Sequence, residues 1–355
     1  HVRQLTTGLV ARGHTVHVVS HKPAEIRGVT VERFHVPDAS AANLRRWQGR
    51  RTNYLRGFLR RFDIMNIHFL SDWGFRFDPP LIERAALVAT AWGSDIVDPP
   101  GEAPASTELI ELRRTLLRRA DAVTACGPTF AKTVADYAGI DPGHVDVLPF
   151  GVDLRLFQPR EYEDRKAHGS QTVGFFKGFR AVYGPTVLTE AIPLVLERIP
   201  TARFDLVGDG VELAKCQALT SKSDIEHAVR WIPRQAHEAL PALIETWDLT
   251  VIPSMHEAFG VAALESSAME VPVVASDVDG LRDTVIHGET GLRVPPCDPQ
   301  ALADAIVALL RDAELRRRMG QAGRALVEAS YAATDVFDRW TRFYDRVRES
   351  AAVMA

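Results

Sequence analysis

Residues 253–274 read PSMHEAFGVAALESSAMEVPVV. The β-branched run at 249–252 precedes them and VPVV closes them, so a strand, a glycine-containing turn, a helix and a second strand follow one another without a break. That order is the repeating unit of a parallel α/β sheet. Glu257 falls in the turn, and Glu265 lies about one turn into a helix that starts near Val261. On one continuous helix, two such carboxylates stand about 12 Å apart along the axis at a rise of ~1.5 Å per residue. That is the span of a diphosphate. Taken alone, the pair fits an exposed turn residue and a solvated helix position; as a site, one carboxylate can hold a sugar and the other a ribose, with the N–H groups of Phe259, Gly260 and Val261 aimed at an anion between them. Gly260 permits the close approach.

Strand-like runs recur outward from this unit. In the second half they fall at 172–176, 203–207, 228–232, 249–252, 271–275 and 291–294, alternating with helical segments such as 185–198 and 299–311. The first half offers 15–20, 29–34, 64–69, 87–91, 122–125 and 145–148. Crossovers of this length suit parallel strands buried in βαβ units. The Pro- and Gly-punctuated PFGVDLRLFQP at 149–159 reads as the linker between two halves. The expected organisation is an acceptor-side domain over 1–155, a donor domain over 156–335, and a last helix over 336–355 that packs back on the first domain. A ligand belongs in the crevice between the halves, at the carboxyl ends of the strands.

A chain of 355 residues, 46% hydrophobic and 25% charged, buries a large core. Its net charge of -4 gives no global positive field for nucleic acid. Cys126, Cys216 and Cys297 form no CxxC pair and no even disulfide framework, which points to a reducing, cytoplasmic setting. No apolar run approaches the ~18 residues of a membrane-spanning helix. The sequence opens directly on a helix with Val2, Leu5, Leu9 and Val10 on one face. A doubly wound domain places a strand and a phosphate-facing turn before such a helix, so a first strand and its loop are expected ahead of His1.

The pattern PSxxExFGxxxLE, followed by PVVAS, Gly280 and GETGLRVPPCD, resembles glycosyltransferase family 4, a retaining family of GT-B fold. ARGHTVHVVS, NIHF, WGSDI, ADAVTACGPT, VLPFGVD, FDLVGDG and RRRMGQAGRALVE are similar to family blocks and occur in family order. The resemblance implies two Rossmann-like doubly wound domains facing a central cleft. It implies that Glu257 bonds the hydroxyls of a donor hexose and Glu265 the ribose of a UDP or GDP sugar. It further implies a basic pair holding the leaving diphosphate, for which Lys177 and Arg180 stand one to three positions from the family's usual places. The turns at Gly208–Gly210 and Trp231–Arg234 end strands on the same rim. Their backbone groups, at Gly208 and Ile232 above all, are candidates for the base.

Where many relatives carry His-Gly, this sequence has Trp92-Gly93-Ser94-Asp95. Trp92 cannot act as acid or base, so it reads as an acceptor-side positioning residue that stacks on a sugar or donates its indole N–H. Asp95 reads either as a partner for an acceptor hydroxyl or as a helix N-cap. His68 reads as a core or supporting histidine. The family mechanism needs no carboxylate nucleophile, so catalysis falls to Lys177, Arg180 and the helix dipole near Val261 acting on the departing diphosphate. Asp277 and Asp279 look like a metal-binding pair but follow a strand at a loop the family keeps without metal, so no metal or other cofactor is expected. Between Arg45 and Arg61 lie seven arginines and no acid, interleaved with Trp47, Tyr54 and Phe58. Such a surface suits either packing on the first domain or an anionic membrane that carries a lipid-linked acceptor. A sugar-nucleotide epimerase and a non-catalytic binding protein are the alternatives to transfer onto a carbohydrate or lipid-linked acceptor. A nicotinamide dehydrogenase is the weakest of the alternatives, because no GxGxxG follows a strand.

Overall fold

The computed structural model describes residues 2–20, 24–33, 61–70, 85–101, 103–160 and 171–354. The basic segment between Arg45 and Arg61 lies, but for its last residue, outside the described residues, as does most of the charged stretch after the linker.

Twelve strands are described: β1 His17–Ser20, β2 Thr30–Arg33, β3 Ile64–His68, β4 Ala86–Thr90, β5 Ala122–Ala125, β6 Val145–Val147, β7 Thr172–Phe175, β8 Arg203–Val207, β9 Val229–Ile232, β10 Leu249–Ile252, β11 Val273–Ser276 and β12 Gly291–Val294. The helices are α1 Val2–Val10, α2 Thr107–Arg119, α3 Pro128–Ala138, α4 Pro185–Leu196, α5 Leu213–Lys222, α6 Leu240–Ile244, α7 Val261–Ala268, α8 Asp279–Thr284, α9 Pro299–Arg311, α10 Ala313–Ser330 and α11 Ala333–Met354. Every described strand pairing is parallel. The strands β4, β7, β10 and β11 are buried along their whole length, as helices on both faces require.

The second half forms one six-stranded sheet in the order β12-β11-β10-β7-β8-β9. Strand order reverses between β7 and β10, so the loops that leave their carboxyl ends diverge and open a crevice. The first half forms a four-stranded sheet, β3-β4-β5-β6, and a separate two-stranded sheet, β1-β2. The sequence reading anticipates one doubly wound sheet there. Among the described residues the two groups of strands share no backbone ladder, and apolar packing joins them instead. Leu5 and Leu9 of α1 cluster with Ala86, Val88, Leu148, Trp340, Phe343 and Val347.

The chain crosses between the halves twice. Val152 in the linker pairs with the junction of α10 and α11, giving its amide to Tyr331 at 2.8 Å and accepting from Ala333 at 2.9 Å. Gly151 is required there, because a Cβ would sit 2.5 Å from the Ala333 Cα. Helix α11 then lies on α1, β3 and β4, with Tyr344 accepting a hydrogen bond from Asn66 at 2.7 Å.

Tight packing beneath the crevice fixes its floor. The Trp247 indole donates to the buried Asp205 at 2.9 Å and lies directly over Gly174 of β7, where a Cβ would come within 2.0 Å of the ring. Gly174→Ala forces that ring or the strand to move. It is expected to lower stability by about 1–3 kcal/mol, measured by urea unfolding, with a matching change at Gly178 staying near neutral.

Candidate active site

The reversal of strand order brings two loops face to face. One leaves β7 and carries Lys177; the other leaves β10 and carries Glu257. Across the crevice the Lys177 ammonium meets the Glu257 carboxylate at 2.6 Å, with the two side chains 13% and 15% exposed. Lys177 also lies over the Tyr183 ring, 4.3 Å from its centre. Ser254 donates to the same Glu257 oxygen at 3.4 Å. A pair this enclosed interacts far more strongly than a surface ion pair, yet it keeps an open edge on which a ligand can compete.

Glycines set the backbone around the pair. Gly260 caps α7 with φ 95° and ψ 49°, and a Cβ there would meet Leu281 at 2.7 Å. The first-turn amides of α7 thus start from a left-handed residue that only glycine adopts without strain. Gly208 lies so close to the loop after β7 that a Cβ would stand 2.4 Å from the Lys177 carbonyl oxygen. The Gly208 amide donates to the Ile232 carbonyl at 3.0 Å, which ties the two rim turns together. Arg180 begins the short turn before Gly184, and its side chain is exposed.

Glu265 lies on α7 and is 8% exposed. Its carboxylate takes a hydrogen bond from His237 Nε2 at 2.8 Å. That bond raises the His237 pKa above 6.5, against an opposing effect of partial burial. The imidazole also packs against Phe157 of the linker, ring centres 5.3 Å apart.

The first domain faces the crevice through aromatic rings. Trp92 stacks at a tilt on Phe150, centres 4.7 Å apart, and Phe150 meets Phe259 edge-on at 5.6 Å. Trp92 Nε1 donates to His68 Nδ1 at 3.3 Å, which leaves the His68 proton on Nε2. Loss of hydration lowers the His68 pKa to about 4. His68 is therefore a neutral support for Trp92. Asp95 is fully buried and accepts the amides of Leu70, Trp92 and Gly93 at 2.8, 3.0 and 2.7 Å. Of its two sequence readings, the partner for an acceptor hydroxyl is corrected, since the carboxylate spends its oxygens ordering the loop that carries Trp92. Burial raises its pKa while those amides oppose the rise.

The acidic pair after β11 is also spoken for. Asp277 bonds Arg282 at 3.0 Å and stands 3.5 Å from Arg293, whereas Asp279 bonds His256.

Residues 1–156 match the family described as Glycosyltransferase Family 4, and residues 160–326 match Glycosyl transferases group 1. The chain belongs to glycosyltransferase family 4. This family 4 chain is 31% identical over 257 residues to a D-inositol 3-phosphate glycosyltransferase of Nocardia farcinica, covering 69% of this chain and 56% of that protein. It is 33% identical over 210 residues to the protein of the same name from Corynebacterium urealyticum, covering 53% and 50%. The chain thus spans a little over half the length of such relatives. The fold is similar to that of sucrose-phosphate synthase from Thermosynechococcus elongatus, with TM-score 0.82 at 22% identity over 98% of this chain and 93% of that one. Anabaena HepE in complex with UDP and glucose gives TM-score 0.78 at 18% identity over 97% and 94%. Both are GT-B proteins, and the two parallel-sheet halves of this chain have that architecture.

Three residues of the candidate site escape sequence reasoning. His237 sits in a short turn 28 residues before its partner Glu265. Ser254 lies inside the quoted motif but has no reading as a solitary serine. Phe150 stands in the linker and joins the site only through the approach of the two halves.

Two titrations check this geometry. In the free protein His237 should titrate above 6.5, and Glu265→Gln should return it toward the ordinary value, as read by imidazole NMR shifts. Because its folded pKa is raised, the stability it contributes is complete below the unfolded value and is lost as pH rises through the folded one. His68 works in the opposite sense. It should stay neutral down to about pH 4, and its contribution should diminish stability as pH falls from 6.5 toward that value.

Proposed function

We propose that this chain transfers a hexose from a UDP- or GDP-linked sugar to a carbohydrate or lipid-linked acceptor, with retention of anomeric configuration. The observation that carries the reading is the Lys177–Glu257 pair across the switch point, at 2.6 Å. A nucleoside diphosphate needs a cation where its leaving oxygens accumulate charge and hydrogen-bond acceptors for the hydroxyls on either side. Lys177, Glu257 and Glu265 are those groups in that order. The relatives named above as D-inositol 3-phosphate glycosyltransferases, and HepE with its bound UDP and glucose, support a nucleotide-sugar donor.

In this reading the ribose hydroxyls bond Glu265, the hexose hydroxyls bond Glu257, and the diphosphate lies between them against Lys177 and the first turn of α7. Arg180, exposed on the same loop, supplies a second positive charge. The rim turns at Gly208 and Ile232 frame the base. As the bond from the anomeric carbon to the diphosphate breaks, charge grows on the leaving oxygens, and Lys177 and Arg180 stabilise it. The acceptor oxygen forms its bond on the same face, and its proton passes to the departing diphosphate. No carboxylate nucleophile enters this reading: Glu257 is occupied by the hexose hydroxyls, and Asp95 is buried. The reading uses no metal: Asp277 already bonds Arg282, and Asp279 bonds His256. Trp92 and Phe150 form the wall on which the acceptor rests.

A panel of UDP and GDP sugars, with release of nucleoside diphosphate as readout, tests the proposal. Glu265→Gln is expected to weaken UDP or GDP binding at least tenfold. Glu257→Gln should lower transfer about a hundredfold while nucleotide binding changes by less than fivefold, the signature of a group that acts on the sugar. Equal loss of nucleotide affinity in both variants, or binding without turnover in the parent protein, would refute transfer in favour of a nucleotide-binding role.

A further inference from the structure

The donor loop is held from below by α8, and α8 is held by the other domain. The Gly280 amide donates to the Glu257 carbonyl at 2.8 Å, and Thr284 Oγ1 donates to the Phe259 carbonyl at 3.1 Å. Gly280 leaves no room for a side chain, since a Cβ would stand 2.3 Å from the Ala258 oxygen. One turn along, Asp283 reaches into the first domain. Its two carboxylate oxygens accept from Thr129 N at 3.1 Å and Thr129 Oγ1 at 2.7 Å.

Thr129 is the second residue of α3, an 11-residue helix whose N-cap Gly127 makes no side-chain capping bond. Asp283 therefore caps α3 from across the domain boundary, where an amide without an intrahelical acceptor and the positive helix end both favour a carboxylate. Gly127 is needed for this approach: a Cβ would lie 2.6 Å from Asp283 Oδ2 and 3.2 Å from the Phe259 ring. Two further contacts converge on the same place. The buried Cys126 thiol, its pKa pushed up by burial, stands 3.5 Å from the Ala258 carbonyl oxygen, and Tyr331 donates to the Asp283 carbonyl at 3.2 Å.

We infer that Asp283 is a positioning residue for sugar transfer: by gripping Thr129 at the start of α3, it fixes α8 and the Glu257–Gly260 loop in register with the acceptor-side domain. The inference rests on the donor-site reading above for its kinetic consequence, though the brace itself does not. Its effect belongs to the chemical step. Glu265, which would hold the ribose, sits on α7 with His237 as its partner, whereas Glu257 lies in the loop that α8 supports.

The test compares Thr129→Val, which removes the hydroxyl at similar volume, with Thr129→Ser, which keeps it. Amide hydrogen exchange of the peptide spanning Glu257 and Val261 is measured alongside UDP affinity and kcat. In Thr129→Val, exchange of that peptide is expected to rise about tenfold while β7 is unchanged. UDP affinity should stay within threefold and kcat fall about tenfold. Thr129→Ser should restore both exchange and kcat. Gly127→Ala, which displaces the Asp283 carboxylate from the opposite side, should reproduce the valine variant. Unchanged loop exchange in Thr129→Val and Gly127→Ala overturns the inference, as does a rise shared equally by β7, which marks general loosening. A localised rise in exchange in a protein that transfers no sugar from any donor supports the brace and refutes the transfer reading, so the two fail separately.

Discussion

Strand order reverses between β7 and β10, and the chemistry of the molecule depends on that reversal. Two neighbouring parallel strands that send their loops in opposite directions leave a gap that no other part of the sheet provides. The lysine at the end of one and the glutamate at the end of the other are 80 residues apart in sequence and 2.6 Å apart in space. Because β7 is central and fully buried, the position of Lys177 is set by the core rather than by its own loop. Trp247, held by Asp205 and seated on Gly174, fixes that strand from below.

Each carboxylate of the candidate site has a partner: Lys177 pairs with Glu257, and His237 bonds Glu265. In the proposed reading, a diphosphate that enters takes a share of Lys177 and leaves Glu257 free to accept from sugar hydroxyls. Binding thereby exchanges one set of charge-assisted hydrogen bonds for another, which limits the desolvation cost. On the opposite wall the row Trp92, Phe150 and Phe259 runs from the first domain into the donor loop. Acceptor and donor surfaces are thus mechanically continuous.

The fold was legible because its signals are local. Buried β-branched runs separated by amphipathic helices specify parallel strands, and strand limits differ from the sequence reading by a residue or two at eight of the twelve described strands. The placement of the two glutamates, one in the turn and one on α7, was legible because Gly260 and the surrounding strand-turn-helix lie within a few residues of them. Asp95 was ambiguous for the same reason reversed: a Ser-Asp pair after a strand suggests a hydroxyl partner or an N-cap, whereas the carboxylate accepts the amides of Leu70, Trp92 and Gly93, a bonding that depends on the approach of the segment after β3. His237, Phe150 and Asp283 find their partners across 28, 109 and 154 residues. No periodicity encodes such contacts. The separate β1-β2 sheet likewise reflects which strands lie side by side, a property that individual strand propensities do not contain.

The central claim is that one nucleoside diphosphate spans the crevice from Glu265 to Lys177. A crystal structure of the protein with UDP bound tests it most directly. The account predicts ribose hydroxyls within hydrogen-bonding distance of Glu265 and the terminal phosphate against Lys177 and the first turn of α7, with the Lys177–Glu257 bond lengthened or broken. A diphosphate seated elsewhere, with the Lys177–Glu257 and His237–Glu265 pairs intact, would contradict it.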